Sequence, residues 1–350
     1  MEQVFFWWAR QGLNLWPLPC QGSALPLSYA PTHATSNAAT AVPASLPRDI
    51  KPSPRLNKPM DMPVATAPPE IAPVEVLRPA LQMVPVVFAS SHSGRTYPPE
   101  FLAAARLDPL NLRRSEDSFV DELFAAAVDH GAPLIRATFP RAFCDANREP
   151  WELDPAMFAD QLPAWVNTTS ARVGAGLGTL ARIVASGEAI YRAKLSFAEA
   201  ERRVQDYWQP FHASLQALID GTRAVFGACL LIDCHSMPSH GNRPVGRAPD
   251  FVLGDAHGTA CHPTVTHYLE RRLIDLGYTV RRNDPYAGGY ITRHYGRPRE
   301  HVHAIQLEVA RELYMDEVRI ERLSRFESVR QDLVALIGSI ARDAAPLLRR

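Results

Sequence analysis

The sequence predicts an α/β fold in which helices pack around a largely parallel sheet. From about residue 80 onward, strand-like segments alternate with helix-like segments, which is the pattern that parallel strands joined by crossover helices produce. The strand-like segments include short continuous apolar runs, such as residues 84–88 and 228–232, and such runs are typical of strands buried on both faces. With 46% hydrophobic residues in a chain of 350, there is enough apolar surface for a sizeable core.

The predicted elements follow one another without internal repeats. A first strand at residues 84–88 leads to a helix at residues 117–129, in which apolar side chains recur at helical spacing. A strand at residues 133–138 comes next, and a long amphipathic helix at residues 196–226 leads into the strand at residues 228–232. The remaining predicted elements are strands at residues 251–253, 279–281 and 304–309 and helices at residues 263–276 and 324–347.

The N-terminal part has a different composition from the rest. Residues 1–78 are rich in Pro, Ala, Ser and Thr and show no sustained helical or strand period. Such a segment cannot bury enough apolar surface to offset its ordering entropy, so we predict a disordered extension. Residues 11–31 resemble translated upstream sequence, and Met60 or Met62 would be a sensible true start. Residues 79–350 are expected to form a single domain.

Charge and cysteine content exclude several classes of protein. The 37 basic and 37 acidic side chains balance, so there is no global electrostatic argument for binding nucleic acid or an anionic membrane. The apolar runs are too short to span a bilayer, and the N-terminal apolar cluster precedes its basic residue, Arg10, which argues against a signal peptide. The five cysteines have no CxxC spacing, which argues against a disulfide framework or a thiolate zinc site and favours a reducing cytoplasm.

Two histidines follow buried strands in similar contexts. His92 comes shortly after the run at residues 84–88, and His235 comes shortly after the run at residues 228–232, each among small residues. Ligands bind at the carboxyl ends of strands in open α/β sheets, so the pair indicates a metal site assembled by the fold. A hydrolytic zinc site often adds one carboxylate to two histidines. Asp117 and Asp121 are the candidates, although Asp117 could instead be a helix N-terminal charge.

Two segments carry groups suited to anionic ligands. Asn147 and Arg148 stand side by side, and an Arg fork with an adjacent amide donor suits a substrate carboxylate, although a solvated turn with an Arg–Asp pair is the alternative. Residues 288–296 combine glycines, Tyr290 and Arg293, of which the arginine could hold a second anionic group. Glu308 interrupts the apolar strand at residues 304–309, and a buried carboxylate is costly unless it is paired or employed, for example as a general base.

Taken together and in order, these motifs resemble the N-formylglutamate amidohydrolase family. The resemblance covers about residues 84–317, nearly all of the chain expected to be ordered. The motifs that carry it are Ser91-His92-Ser93-Gly94, Glu116-Asp117-x-Phe119-Val120, residues 141–148, Gly176-Leu177-Gly178-Thr179, Asp233-Cys234-His235-Ser236-Met237-Pro238, residues 250–255, residues 288–296, Gln306-Leu307-Glu308 and Tyr314-Met315-Asp316-Glu317.

The resemblance implies a fold and a metal site. The family is similar to zinc carboxypeptidases and aspartoacylase, which implies a three-layer sandwich with a central mixed, mostly parallel sheet, and residues 79–350 as one catalytic domain. His92 and His235 match the ligands of one zinc ion. Carboxypeptidases place a ligand glutamate three residues after the first histidine, where this chain has Arg95, so Asp117 is the expected third ligand.

The resemblance also implies an activity. Zinc-assisted hydrolysis of N-formyl-L-glutamate would give formate and glutamate, with Glu308 as general base. Arg148 and Arg293 would hold the two carboxylates, with Asn147 and Tyr290 also contacting the substrate. Two alternatives stay open: a zinc amidohydrolase for another N-acyl amino acid or a short peptide with a free carboxylate, and a metal-free protein that binds dicarboxylates. No nucleic acid, membrane or protein partner is expected.

Overall fold

The computed structural model describes residues 72–239 and 248–348, which contain a seven-stranded mixed sheet. Its strands are β1 (Val74–Leu77), β2 (Val86–Ser90), β3 (Leu134–Ala137), β4 (Cys229–Met237), β5 (Phe251–Gly254), β6 (Val280–Arg282) and β7 (Val302–Ala310). They lie in the order β1-β3-β2-β4-β7-β5-β6, and β1–β3 and β5–β7 are the antiparallel pairs. The predicted mixed, mostly parallel sheet is therefore confirmed. A hairpin of β8 (Met315–Asp316) and β9 (Glu321–Arg322) follows.

Helices pack on both faces of this sheet, as the predicted sandwich requires. The α-helices are α1 (Pro99–Ala104), α2 (Pro109–Arg113), α3 (Val120–Leu123), α4 (Ala171–Gly174), α5 (Phe197–Arg203), α6 (Gln209–Phe226), α7 (Pro263–Asp275), α8 (Tyr290–Tyr295) and α9 (Phe326–Leu348). A π-helical segment, Val204–Trp208, joins α5 to α6. Short 3₁₀ turns occupy Ala125–Ala127, Pro155–Met157, Pro298–Glu300 and Arg311–Leu313.

The strand β2 shows why the apolar runs are continuous. Its residues Val86 and Phe88 belong to the apolar cluster that α7 and α9 cover, whereas Val87 and Ala89 belong to the cluster that α6 covers. Successive side chains of a strand point to opposite faces of the sheet. Because both faces are covered, every position of the strand is buried, and no polar alternation is left in the sequence.

Two predicted elements differ from the observed ones. The helix expected at residues 117–129 is reduced to α3 and a 3₁₀ turn, because Phe119 adopts a left-handed conformation (φ 68°) and the amide of Asp117 donates to the carbonyl of His92 at 3.0 Å. The strand expected to end at residue 232 continues to Met237, since β4 pairs with β7 along its whole length. His235 therefore lies within a strand and not beyond its end.

The N-terminal boundary also needs correction. Strand β1 lies within residues 1–78, and its pairing with β3, from Val74 opposite Ala137 to Leu77 opposite Leu134, shows that the prediction of disorder is wrong for this stretch. The rest of the predicted extension up to residue 71, including Met60 and Met62, lies outside the described residues. Among the described helices, none is both long and apolar enough to cross a membrane. The cytoplasmic location stays a prediction.

Candidate functional site

The candidate site lies where three neighbouring parallel strands end. His92 comes two residues after the end of β2, His235 is near the end of β4, and Glu308 is near the end of β7. The carboxyl ends of adjacent parallel strands meet at one edge of a sheet. Strand order alone thus brings together three residues that are far apart in the sequence. This is how the fold assembles the candidate site.

His92, Asp117 and His235 form a compact buried group. Asp117 Oδ2 lies 2.9 Å from His235 Nδ1 and 3.4 Å from His92 Nδ1. One potential ligand atom from each residue falls within 4.8 Å of the others. Because the Asp117 amide is held by the His92 carbonyl, the loop that carries the carboxylate is tied to the loop that carries the first histidine.

The second nitrogen of each imidazole faces another buried carboxylate. His92 Nε2 lies 2.7 Å from Asp145 Oδ1, and His235 Nε2 lies 2.9 Å from Asp233 Oδ1. Metal-binding histidines usually donate their outer N–H to such a group, which fixes the tautomer and turns the other nitrogen toward the ion. Within the described residues, the buried Nδ1 of His92 makes no hydrogen bond. The donor set and this free nitrogen therefore fit a metal ion.

The electrostatics of the group also suit a cation. Burial alone would raise the pKa of Asp117, but the hydrogen bond with His235 and the nearby imidazole of His92 hold it well below the usual range. Burial would likewise lower the pKa of His235, yet the carboxylates of Asp233 and Asp117 keep it well above its ordinary value. Without an ion, a proton on the imidazole balances the carboxylates, and a divalent cation would take over that role by displacing the proton.

Asp121, the alternative third ligand, is engaged elsewhere. It forms an ion pair with Arg136, and Arg95 Nη2 lies 3.6 Å from its carboxylate. Arg95, which stands where a carboxypeptidase would have its ligand glutamate, also pairs with Glu122 at 3.2 Å. Of the two carboxylates that the sequence offers, Asp117 is the one that lies with the histidines.

Glu308 lies next to this group as a partly neutral acid. Its side chain is 5% exposed, faces the cleft and accepts a hydrogen bond from Gln306 Nε2 at 2.6 Å. Burial raises the pKa of Glu308 to about 7 against the opposing effect of the His235 charge. A carboxyl group with a pKa near neutrality can both accept and return a proton, which suits a general base.

Arginines line one side of the cleft. Asn147 and Arg148 are among the lining residues, and Arg141, Arg172 and Arg311 join them without having been singled out from the sequence. Arg141 and Arg311 are paired with buried carboxylates, those of Asp145 at 2.8 Å and Asp117 at 3.1 Å.

Arg148 and Arg172 carry positive charge with less compensation. Burial and then the neighbouring charge of Arg172 lower the pKa of Arg148 to about 9. Burial also lowers the pKa of Arg172, and Glu152 opposes that effect only in part. Two arginines that depress the pKa of a neighbour in one cleft favour the binding of anions, because an anionic group would relieve their mutual repulsion.

Two of the predicted substrate residues are not among those that line the cleft. Arg293 lies on α8 near the arginines of the cleft, since the charge of Arg148 adds to burial in lowering its pKa. Substrate contacts of Arg293 and Tyr290 stay predictions. The ring of Tyr290 packs against Trp208, with centroids 5.7 Å apart. Gly289, just before α8, lets the backbone pass close to Asn147, since a Cβ at this position would lie 2.4 Å from the side-chain amide of Asn147.

Asn147 has contacts that differ from the expected role. Its Nδ2 donates to Asp233 Oδ2 at 3.4 Å, and its Oδ1 accepts from the amide of Ile291 at 2.8 Å. Both ends of the amide are therefore engaged with the protein. Asn147 links α8 to Asp233 of β4, and a contact with the substrate stays a prediction.

Comparison with known proteins identifies close similarity to one group. A model of the N-formylglutamate amidohydrolase family matches residues 84–315. An N-formylglutamate deformylase from Pseudomonas putida is 34% identical over 205 residues, 57% of this chain and 71% of that protein. One from Pseudomonas aeruginosa is 32% identical over 238 residues, 67% of this chain and 83% of that protein. The solved structure of an N-formylglutamate amidohydrolase from Ralstonia eutropha has a TM-score of 0.73 at 37% identity, covering 78% of this chain and 98% of that one.

Proposed function

The chain belongs to the N-formylglutamate amidohydrolase family, and from this premise we propose that it hydrolyses N-formyl-L-glutamate to formate and L-glutamate with one zinc ion. That it is an amidohydrolase follows from the family. The substrate is proposed because both Pseudomonas relatives are N-formylglutamate deformylases. The observation that carries the metal dependence is the group of His92, Asp117 and His235, with a buried carboxylate behind each imidazole.

Zinc is the proposed ion because of the donor set. Two imidazole nitrogens and one carboxylate are a usual protein ligand set for catalytic zinc and leave a position for water or substrate. A bound zinc ion would polarise the formyl carbonyl and lower the pKa of a water molecule to about 7. The three side chains would hold the ion, and Asp145 and Asp233 would keep the two imidazoles turned toward it.

Glu308 is the proposed proton carrier. Its carboxylate takes a proton from the water whose oxygen attacks the formyl carbon. It then delivers that proton to the amide nitrogen as the carbon–nitrogen bond breaks, so glutamate leaves as an amine and formate remains. The raised pKa of Glu308 supports both halves of this role, because a strongly acidic carboxylate would be a poor base and would not return the proton.

Arg148 and Arg172 are the proposed partners of the two substrate carboxylates. Both line the cleft, and the lowered pKa of each supports a site that binds anionic groups. Arg293, which is not among the lining residues, is the alternative partner of the second carboxylate. A substrate with two carboxylates can engage both arginines, whereas an N-formyl amino acid with one carboxylate would leave one of them without an anionic partner.

The proposal is tested by metal analysis and a substrate screen on the purified protein. We expect about one zinc per chain and the highest kcat/KM for N-formylglutamate among N-formyl, N-acetyl and longer N-acyl glutamates and N-formyl amino acids with one carboxylate. Equal turnover of the acyl series would favour a broader amidohydrolase. Dicarboxylate binding without zinc and without turnover would instead support the metal-free binding protein.

A further inference from the structure

The backbone of the segment at residues 145–148 is held from behind by two side chains of one helical stretch. The side chains of Asp145, Asn147 and Arg148 line the cleft. His212 Nε2 lies 2.8 Å from the carbonyl oxygen of Ala146, and Trp208 Nε1 donates to the carbonyl oxygen of Arg148 at 3.0 Å. The two carbonyls that flank Asn147 are therefore both bound by this stretch.

The hydrogen bond of His212 has a defined direction. A carbonyl oxygen can only accept, so Nε2 of His212 must carry the proton. Its other nitrogen, Nδ1, lies 2.8 Å from the hydroxyl of Tyr295. Burial lowers the pKa of His212 to about 3, so the ring is neutral at ordinary pH and Nδ1 accepts from Tyr295. The histidine is thus a fixed link between Ala146 and α8, which carries Tyr295.

Ring packing keeps both donors in place. The rings of Trp208 and His212 stack with centroids 3.8 Å apart and planes 30° apart. Tyr290 packs against His212 with its plane nearly perpendicular, at 5.4 Å. Tyr290 thus forms one aromatic group with Trp208 and His212. A stacked donor keeps few alternative rotamers, so little conformational entropy is lost when its hydrogen bond forms.

The backbone of the helix is unusual at this point. Trp208 is the last residue of the π-helical segment Val204–Trp208, and His212 lies four residues later in α6. Residues four apart lie on the same face of a helix. A π-helical segment is rare and is often found near functional sites, since it changes which side chains face a neighbour. Here it helps to direct both donors at the same stretch of chain.

We propose that His212 and Trp208 are positioning residues that hold the backbone at Ala146 and Arg148 so that the Arg148 side chain faces the substrate. This inference rests on the proposed function, because it takes Arg148 as a partner of a substrate carboxylate. Neither His212 nor Trp208 lines the cleft, so each acts through the segment and not on the substrate.

The other hydrogen bonds of residues 145–148 indicate whether substrate binding or turnover depends on His212 and Trp208. The amide of Asp145 donates to Thr179 O at 2.7 Å, and Asn147 Oδ1 accepts from Ile291 N at 2.8 Å. These contacts remain when His212 or Trp208 is changed. Asp145, which faces His92, thus keeps its anchor, whereas a Trp208 variant frees the carbonyl of Arg148 and a His212 variant frees that of Ala146. We therefore expect a larger effect on KM than on kcat.

The test compares three substitutions with a control. His212→Leu removes the donor, His212→Gln can keep an amide donor toward Ala146, and Trp208→Phe keeps a ring but removes the indole donor. Leu218→Ala removes buried apolar volume from the same helix without removing a hydrogen bond to residues 145–148. For His212→Leu and Trp208→Phe we expect KM for N-formylglutamate to rise about tenfold and kcat to change less than about threefold, because a carbonyl loses its partner.

The matched variants separate positioning from general stability. His212→Gln should bring KM back to within about threefold of the unmodified protein, since it can again donate to Ala146. Leu218→Ala should lower Tm without changing KM. An unchanged KM in both His212→Leu and Trp208→Phe would overturn the inference, as would an equal rise in Leu218→Ala. If His212→Leu fails to fold, Trp208→Phe and His212→Gln decide the matter.

A second readout needs no substrate. Hydrogen exchange followed by mass spectrometry on the full chain reports the amides of Asn147 and Arg148, which donate to the side chain and to the carbonyl oxygen of Asp145. We expect faster exchange there in His212→Leu and Trp208→Phe and not in Leu218→Ala. Unchanged exchange would overturn the inference. Faster exchange in a protein that does not hydrolyse N-formylglutamate would support the positioning role and contradict the proposed function.

Discussion

His235 and Glu308 occupy directly paired positions on the adjacent parallel strands β4 and β7. One is a proposed zinc ligand and the other the proposed base, so backbone hydrogen bonds of the sheet set the distance between the metal site and the proton carrier. The pairing runs from Cys229 opposite Val302 to Met237 opposite Ala310. A substitution on the surface, far from the paired strands β4 and β7, should therefore not alter the relative positions of His235 and Glu308.

Glu308→Gln should abolish the base while keeping the metal site. We expect kcat to fall about 10²-fold or more, with zinc content unchanged, because the amide can occupy the same space but cannot accept the proton. The measurements are steady-state kinetics and metal analysis of the same preparation. Glu312→Gln is the matched control, since Glu312 is exposed shortly after the same strand and should leave kcat unchanged. Loss of zinc in Glu308→Gln would mean that this carboxylate is a ligand.

Asp117→Asn and Asp121→Asn should have opposite signatures. The first should lose zinc and activity, because Asp117 lies between the two histidines. The second should keep about one zinc per chain but lower Tm, since Asp121 is the buried partner of Arg136. Metal analysis and thermal unfolding separate the two effects. Zinc loss in Asp121→Asn with zinc retained in Asp117→Asn would reverse the assignment of the third ligand.

Asp145→Asn and Asp233→Asn should each weaken zinc binding without removing a ligand. Each carboxylate faces the outer nitrogen of one histidine, and such groups are typically worth about 10- to 100-fold in metal affinity. Competition with a chelator of known affinity measures the effect directly. Asp220→Asn, on the exposed side of α6, is the control and should leave the affinity unchanged. Wild-type affinity in both site variants would argue against this orientation of the imidazoles.

Arg172→Met should raise KM for N-formylglutamate about tenfold or more, whereas Arg293→Met should change it less than about threefold. Arg172 lines the cleft, whereas Arg293 is exposed on α8 and is not among the lining residues. Methionine keeps much of the apolar stem, so the comparison isolates the charge. KM values for both variants against N-formylglutamate decide the assignment. A larger effect at Arg293 would restore the role that the sequence suggested.

The activity should decline toward acid with Glu308 as the titrating base. A base works in its ionised form, so kcat/KM should fall as the pH drops through the pKa of Glu308. Burial raises that pKa to about 7, and the positive charge of a bound ion acts in the opposite direction. The acid limb of the zinc-loaded enzyme should therefore have its midpoint at or below pH 7. A midpoint well above that value would point to another group.

The sequence predicts the parts of the site that follow from strand ends. His92, His235 and Glu308 could be found because each interrupts or follows a continuous apolar run, and neighbouring parallel strands end at the same edge. The sequence narrows the third metal ligand only to two carboxylates, Asp117 and Asp121. The choice depends on Arg136 and Arg95, which pair with Asp121 through contacts that no local pattern encodes.

The recognition side of the cleft was harder to predict. Arg172 lies on the four-residue helix α4, within a long stretch of mostly irregular chain between β3 and α5, so no periodicity indicates which way it points. Arg293 had the opposite problem. Its dense neighbourhood of glycines and tyrosines suggested a ligand loop, whereas Arg293 is exposed on α8 and is not among the residues that line the cleft, and Gly289 allows close approach to Asn147.

The paired strands β4 and β7 suggest how such an enzyme can diverge. The groups proposed to break the bond sit on backbone that the sheet holds rigidly, while Arg172, proposed to recognise the substrate, sits on chain with little regular structure. Substitutions in that irregular stretch can change the substrate specificity while the reacting groups keep their spacing. Redesign toward a different acid should therefore begin between β3 and α5 and leave the sheet edge untouched.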